Sequence, residues 1–226
     1  MKFIFFSFIF CFLSLQDAWS QPDKKSVLLS SPVCQKPQIL KEFLQGIKDL
    51  EKEDYSLTIL FLDDNFYAES SELLNQFQSE SKIPCQIIKV PRDYLTPFYQ
   101  CDENTHQWTL DLIWRLANIK NQILDFAREN QYDYLFLIDS DVLIHPNTIQ
   151  HLIKANAPIV CNLYWTEETK NAPLKPQVWL SDYDTRYQRG DREQISPEEM
   201  IKRQESFFNM LKEPGTYEVG GVAGCV

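Results

Sequence analysis

Two apolar runs in this chain end in pairs of carboxylates. Asp139 and Asp141 follow YLFLI at residues 134–138, and Asp63 and Asp64 follow LTILFL at residues 57–62. Carboxylates this close repel unless a cation sits between them or one is protonated. Hard oxygen ligands on a short turn suit Mg²⁺ or Mn²⁺, which keep coordination positions open for phosphate oxygens. The expectation is therefore that Asp139 and Asp141 hold a divalent ion, and that this ion carries a diphosphate. An isolated Asp-x-Asp is also a common capped turn. A second acidic strand end on the same rim favours the metal.

Other residues could serve the same chemistry. At about 100° per residue, Leu112, Ile113, Leu116, Ile119, Ile123, Leu124 and Ala127 form one helical stripe, and Lys120 projects near its middle. A lysine there either snorkels to solvent or reaches the rim and meets anionic phosphate, with an amide contact from Asn121 beside it. Trp165 either stacks on a sugar face or belongs to the core. Gly220 and Gly221 either admit close backbone approach to a ligand or mark a bulge. The three histidines have no metal-ligand spacing.

Alternating elements must position these groups. Strands are expected at residues 27–30, 57–62, 85–90, 134–138 and 158–165. Helices are expected from Pro37, at residues 69–78 and 107–129, from Pro146, and at residues 197–211. Continuous apolar strands alternating with helices indicate an α/β fold, a mostly parallel sheet flanked by helices on both faces. Ligands in such a sheet bind outside the carboxyl ends of the strands. Ser30-Ser31-Pro32, Asp63-Asp64-Asn65 and Asp139-Ser140-Asp141 close three of them. Residues 166–196 break the pattern in a polar, aromatic loop whose Trp179, Tyr183 and Tyr187 favour a docked conformation.

Composition narrows the partners. Acids outnumber bases 32 to 22, a formal net charge of −10, and no basic cluster offers a face to nucleic acid. The apolar run at residues 3–15 falls short of the ~20 residues of a stable membrane span. Followed by Ala18-Trp19-Ser20, it reads as a signal peptide of residues 1–20 or an uncleaved anchor, which directs the chain to a secretory lumen or the periplasm. Without Cys11 five cysteines remain, an odd number that leaves one thiol unpaired or paired beyond the chain. The apolar ending at Val226 reads as a truncated chain or as a terminus tucked into the sheet.

The segments RLANIKNQILDFARENQYDYLFLIDSDVLIHPNTIQHLI, PQVWL and PGTYEVGGVAGC resemble the family-2-like glycosyltransferases of Rossmann-like GT-A fold. The resemblance runs from about residue 26 to 226. It implies a nucleotide-binding half at residues 26–165 and the start of an acceptor half at 166–226. It also implies a UDP- or GDP-sugar donor, a glycan or protein acceptor and a Mn²⁺ or Mg²⁺ ion. By the same resemblance Pro32, Asp63 and Asp64 lie near the nucleoside, Asp139 near ribose and metal, and Asp141 is the metal ligand. Lys120-Asn121 stands where the family has Arg-Asn, which keeps the charge and loses the bidentate fork. The general base is expected beyond Val226. Two other readings share the Asp-Ser-Asp signature: a haloacid-dehalogenase-like phosphatase with Asp139 as nucleophile, and a non-catalytic nucleotide-sugar or glycan-binding module.

Overall fold

The computed structural model describes residues 24–93, 96, 100–101, 106–167, 171–181 and 185–222. The signal-like segment of residues 1–20, Tyr183 and Cys225 lie outside the described residues.

The strands are β1 (Lys25–Val33), β2 (Tyr55–Asp63), β3 (Cys85–Lys89), β4 (Gln100–Cys101), β5 (His106–Gln107), β6 (Tyr134–Leu137), β7 (Trp165–Thr166), β8 (Lys175–Pro176), β9 (Val178–Trp179) and β10 (Gly221–Val222). The helices are α1 (Pro37–Lys48), α2 (Ala68–Glu80), α3 (Leu110–Glu129), α4 (Thr148–Lys154) and α5 (Pro197–Met210). Four strands form one parallel sheet in the order β3-β2-β1-β6. This is a Rossmann-like, GT-A-type arrangement, with helices on both faces of the sheet.

Strand alternation sorts the core into two faces. Val27, Leu29, Val33, Ile59 and Phe61 point to one side, where they meet Leu40, Phe43, Leu44 and Ile47 of α1, Leu74 and Phe77 of α2, and Ile149 of α4. Phe61 lies between Phe43 and Phe77, with ring centroids 6.2 and 5.8 Å away. Leu28, Leu60 and Leu62 point to the other side and pack on Ile119 and Ile123 of α3. Each such side chain, taken fully out of water, contributes about 1.5–3 kcal/mol. A third apolar cluster gathers Val178, Phe207 and Leu211, with Trp165, Leu180, Tyr217 and Val222 against it.

Local signals explain the helix starts. Pro37 opens α1, where a missing N–H costs nothing. Thr109 caps α3 by accepting from the Leu112 N–H at 3.3 Å. Ser196 does the same for α5 at the Glu199 N–H, 3.2 Å away.

Three expectations change. The first strand continues through Pro32 to Val33 instead of stopping at the proline. Proline is tolerated because β6 pairs with β1 only as far as Ser30, so Pro32 lies where the strand is bonded on one side. The apolar stretch at 158–164 is irregular, and Ile159 is 92% exposed. Only Trp165 and Thr166 become strand, against β8. The buried stripe of α3 is also narrower than periodicity predicts. Ile119 and Ile123 are sealed, while Ile113 and Leu124 face solvent.

Candidate functional site

The parallel register aligns the carboxyl ends of the strands. Val33, Asp63 and Lys89 stand side by side across β1, β2 and β3. On the other flank Ser30 pairs with Leu137, and the Ile138 N–H continues the ladder by donating to the Ser30 carbonyl at 3.0 Å. Extending that register by two residues sets Asp139 level with Pro32. The chain runs from β1 to β2 and β3 on one side and returns to β6 on the other, so the crevice between β1 and β6 is the topological switch point. Pro32 and Asp139 flank it.

The turn after β6 is built to hold its first acid. The Val142 N–H donates to the Asp139 carbonyl at 3.2 Å, and Ser140 is buried beneath. The Asp139 side chain is 32% exposed and pairs with the ammonium of Lys120 at 3.2 Å. Burial pushes the Asp139 carboxyl above its ordinary range, Lys120 opposes that, and the neighbouring Asp141 charge adds to it. Asp141 itself is exposed, as is Asn121 beside Lys120.

The pair after β2 is bonded differently. Asp63 is buried, and its Oδ1 accepts from the Asn65 backbone and side-chain amides at 3.0 and 2.8 Å. Its Oδ2 pairs with Lys89 at 2.9 Å. Burial alone would raise this carboxyl, but the Lys89 ammonium and the Asn65 amides outweigh it and hold it below the usual range. Asp64 takes two guanidiniums. Arg92 Nη1 lies 3.0 Å from its Oδ1, and Arg115 of α3 clamps it with Nε 3.1 Å from Oδ2 and Nη2 on Oδ1. A cavity of about 420 Å³ opens beside this clamp, lined by Asn65, Phe66, Lys89, Pro91, Arg92 and Thr96 among others.

Lys89, Arg92 and Arg115 were not expected from sequence reasoning. The available signals were slight: a basic residue closing the CQIIK strand, one just after Pro91, and one five positions before Lys120 on the same helix.

Trp165 packs against the third cluster, and the glycine pair stands between its Val219 and Val222. The Trp165 ring meets Phe208 edge-on at 6.3 Å. Strand β10 pairs antiparallel with β9, with Gly221 opposite Trp179. A Cβ on Gly221 would sit 2.2 Å from Trp179 Nε1, and one on Gly220 would sit 2.5 Å from the Leu180 carbonyl. The glycines admit close approach of β9 and its indole. The long loop thus contributes β8 and β9, and Trp179 is docked as expected.

Among the described residues, no cluster of three or more His, Cys, Asp or Glu side chains could hold a metal ion alone, and no helix is long and apolar enough to cross a membrane.

Residues 24–191, well over half of the chain, match the family model described as glycosyltransferase family 25, N-terminal domain. The chain belongs to glycosyltransferase family 25. Its similarity to individual members is distant. A glycosyltransferase 25 family member of Aedes aegypti is 26% identical over 138 residues, 59% of this chain and 22% of that protein. Another, of Drosophila pseudoobscura pseudoobscura, is 26% identical over 157 residues, 67% of this chain and 24% of that protein. The chain thus spans under a quarter of the length of these curated relatives. Membership ties residues 24–191 to the N-terminal domain of this glycosyltransferase family. It narrows the resemblance to family-2-like transferases and weighs against the phosphatase reading.

Proposed function

We propose that this chain is the donor-binding part of a glycosyltransferase. In this reading it takes a sugar from a UDP- or GDP-linked donor and passes it to a glycan or protein acceptor, with Mn²⁺ or Mg²⁺ held by Asp139 and Asp141. The observation that carries the reading is the position of the Asp139-Ser140-Asp141 turn, at the switch-point crevice with Lys120 against it.

The donor set suits such an ion. Two carboxylates on one turn are hard ligands, and Mg²⁺-like ions are commonly held by one or two carboxylates with substrate phosphates and water completing the shell. The bound ion would supply charge stabilisation to the departing diphosphate. Lys120 adds a positive charge on the same side, and Asn121 follows it on α3. Pro32 forms the β1 wall of the crevice. Asp63 and Asp64 act near the nucleoside through the groups they position, since both carboxylates are already bonded. Asp64 fixes Arg92 and Arg115, and Asp63 fixes Lys89, beside the cavity. The acceptor approaches over the side built by Trp165, Gly220 and Gly221, with Phe208 and Trp179 bracing them. The apolar run at residues 3–15 supports a secretory-lumen or periplasmic location.

Calorimetric titration of the whole chain with UDP and GDP, with and without Mn²⁺, tests the reading. Nucleotide binding that needs Mn²⁺ and disappears in Asp141→Ala is the expected result. Binding indifferent to both the ion and that substitution would overturn it. A donor-hydrolysis assay on the same samples separates turnover from binding alone.

A further inference from the structure

Lys120 is committed to Asp139. The pair is 3.2 Å apart, with side chains 26% and 32% exposed, neither sealed from water nor freely solvated. Among the described residues Lys120 is the one cation in ion-pair contact with Asp139. Its place is fixed by its neighbours on α3, since Ile119 and Ile123 are sealed against Leu28, Leu60 and Leu62. The acid is fixed just as firmly by the ladder bond at Ile138 and the turn bond at Val142. Asp139 is also the ligand proposed for the divalent ion. One carboxylate therefore has two claimants.

A divalent ion and an ammonium on one carboxylate repel each other, because both charges have the same sign and water screens this half-buried pair only in part. We propose that Lys120 is an exchangeable place-holder: it neutralises Asp139 before donor binding, yields it to the divalent ion, and then turns to the donor's diphosphate. This rests on the reading of the Asp139–Asp141 turn as a metal–diphosphate site and adds a coupling to it. An ion binding alone would have to displace Lys120 into water and lose the Lys120–Asp139 pair, so it would bind weakly. The diphosphate supplies new anionic oxygens for the released lysine, so ion and nucleotide strengthen each other. Linkage requires that strengthening to be reciprocal. A long lysine side chain suits the exchange, as a point charge on a flexible stem with no fixed fork to break.

The test uses Lys120→Met, which removes the charge and keeps most of the stem. Mn²⁺ binding alone, followed by the loss of the free-ion electron paramagnetic resonance signal, is expected to tighten about fivefold or more. UDP and GDP binding at saturating Mn²⁺ is expected to weaken about tenfold, and the mutual strengthening of ion and nucleotide to shrink with it. Lys120→Arg keeps the charge and should stay near wild type in the Mn²⁺ arm. Should Lys120→Met fail to fold, Lys120→Gln carries the same test. Mn²⁺ affinity that is unchanged or weaker without the charge overturns the exchange, since a purely structural or purely phosphate-binding lysine gives that result. A wild-type chain that binds Mn²⁺ but neither nucleotide overturns the donor-site reading instead, and the Mn²⁺ arm still judges the competition for Asp139.

Discussion

Asp63 and Lys89 are direct cross-strand partners in the β2–β3 ladder, and their side chains meet at 2.9 Å over the carboxyl edge of the sheet. The acid is buried and the lysine is more than half exposed, so the pair joins the core to solvent. The neighbouring Asp64 turns the other way, into the Arg92–Arg115 clamp. Two adjacent carboxylates thus anchor two separate sets of cations.

The first prediction concerns acid. The bonds to Lys89 and Asn65 hold the folded Asp63 carboxyl below its unfolded value, which is about 3.9. A depressed acid contributes stability that is complete above the unfolded value and is lost as pH falls through the folded one. Asp63→Asn should therefore be clearly less stable than wild type at pH 7, and the gap should close below about pH 4. Urea melts across that range check it.

Asp64→Ala removes the carboxylate that two partly buried guanidiniums share. Breaking such a pair from one side costs about 3 kcal/mol. Denaturant unfolding at neutral pH should show a loss of that order. Lys25 and Asp133, an exposed pair, give the contrast: Lys25→Ala should move the midpoint little.

On α3 the observed stripe and the periodic one can be told apart. Ile123→Ala empties a sealed position and should cost about 2–5 kcal/mol. Ile113→Ala, at a site 45% exposed, should stay within about 0.5 kcal/mol of wild type. Equal losses at both positions would contradict the packing described for the helix.

Gly221→Ala drives a methyl into the Trp179 indole, and overpacking of this kind costs about 1–3 kcal/mol. Trp179 should shift its emission to the red as it is pushed from Gly221. Gly46→Ala is the control, because a Cβ there meets nothing within 4 Å.

The sheet was legible because its central strands are buried on both faces and so read as continuous apolar runs, as β1 and β2 do. The 158–164 segment has the same composition and forms no strand. Apolar content reports burial demand, and it cannot say whether a neighbouring strand is there to pair with. Helical periodicity placed α3 but widened its stripe, since Ile113 and Leu124 sit at the margins of an arc whose true width depends on how closely the helix approaches the sheet. Asp139, Asp141 and Lys120 were legible as charge at the edge of apolar patterns. Arg92 and Arg115 were not, because a surface arginine looks the same in sequence whether it faces water or Asp64.

Helix α3 carries both Arg115 and Lys120, about 7.5 Å apart along its axis, and the acids they grip, Asp64 and Asp139, follow strands β2 and β6, with β1 between those strands. A single rigid rod is therefore pinned at two stations on opposite sides of the crevice. With Ile119 and Ile123 sealed against the sheet as well, one helix ties the turn after β2 to the turn after β6 across β1.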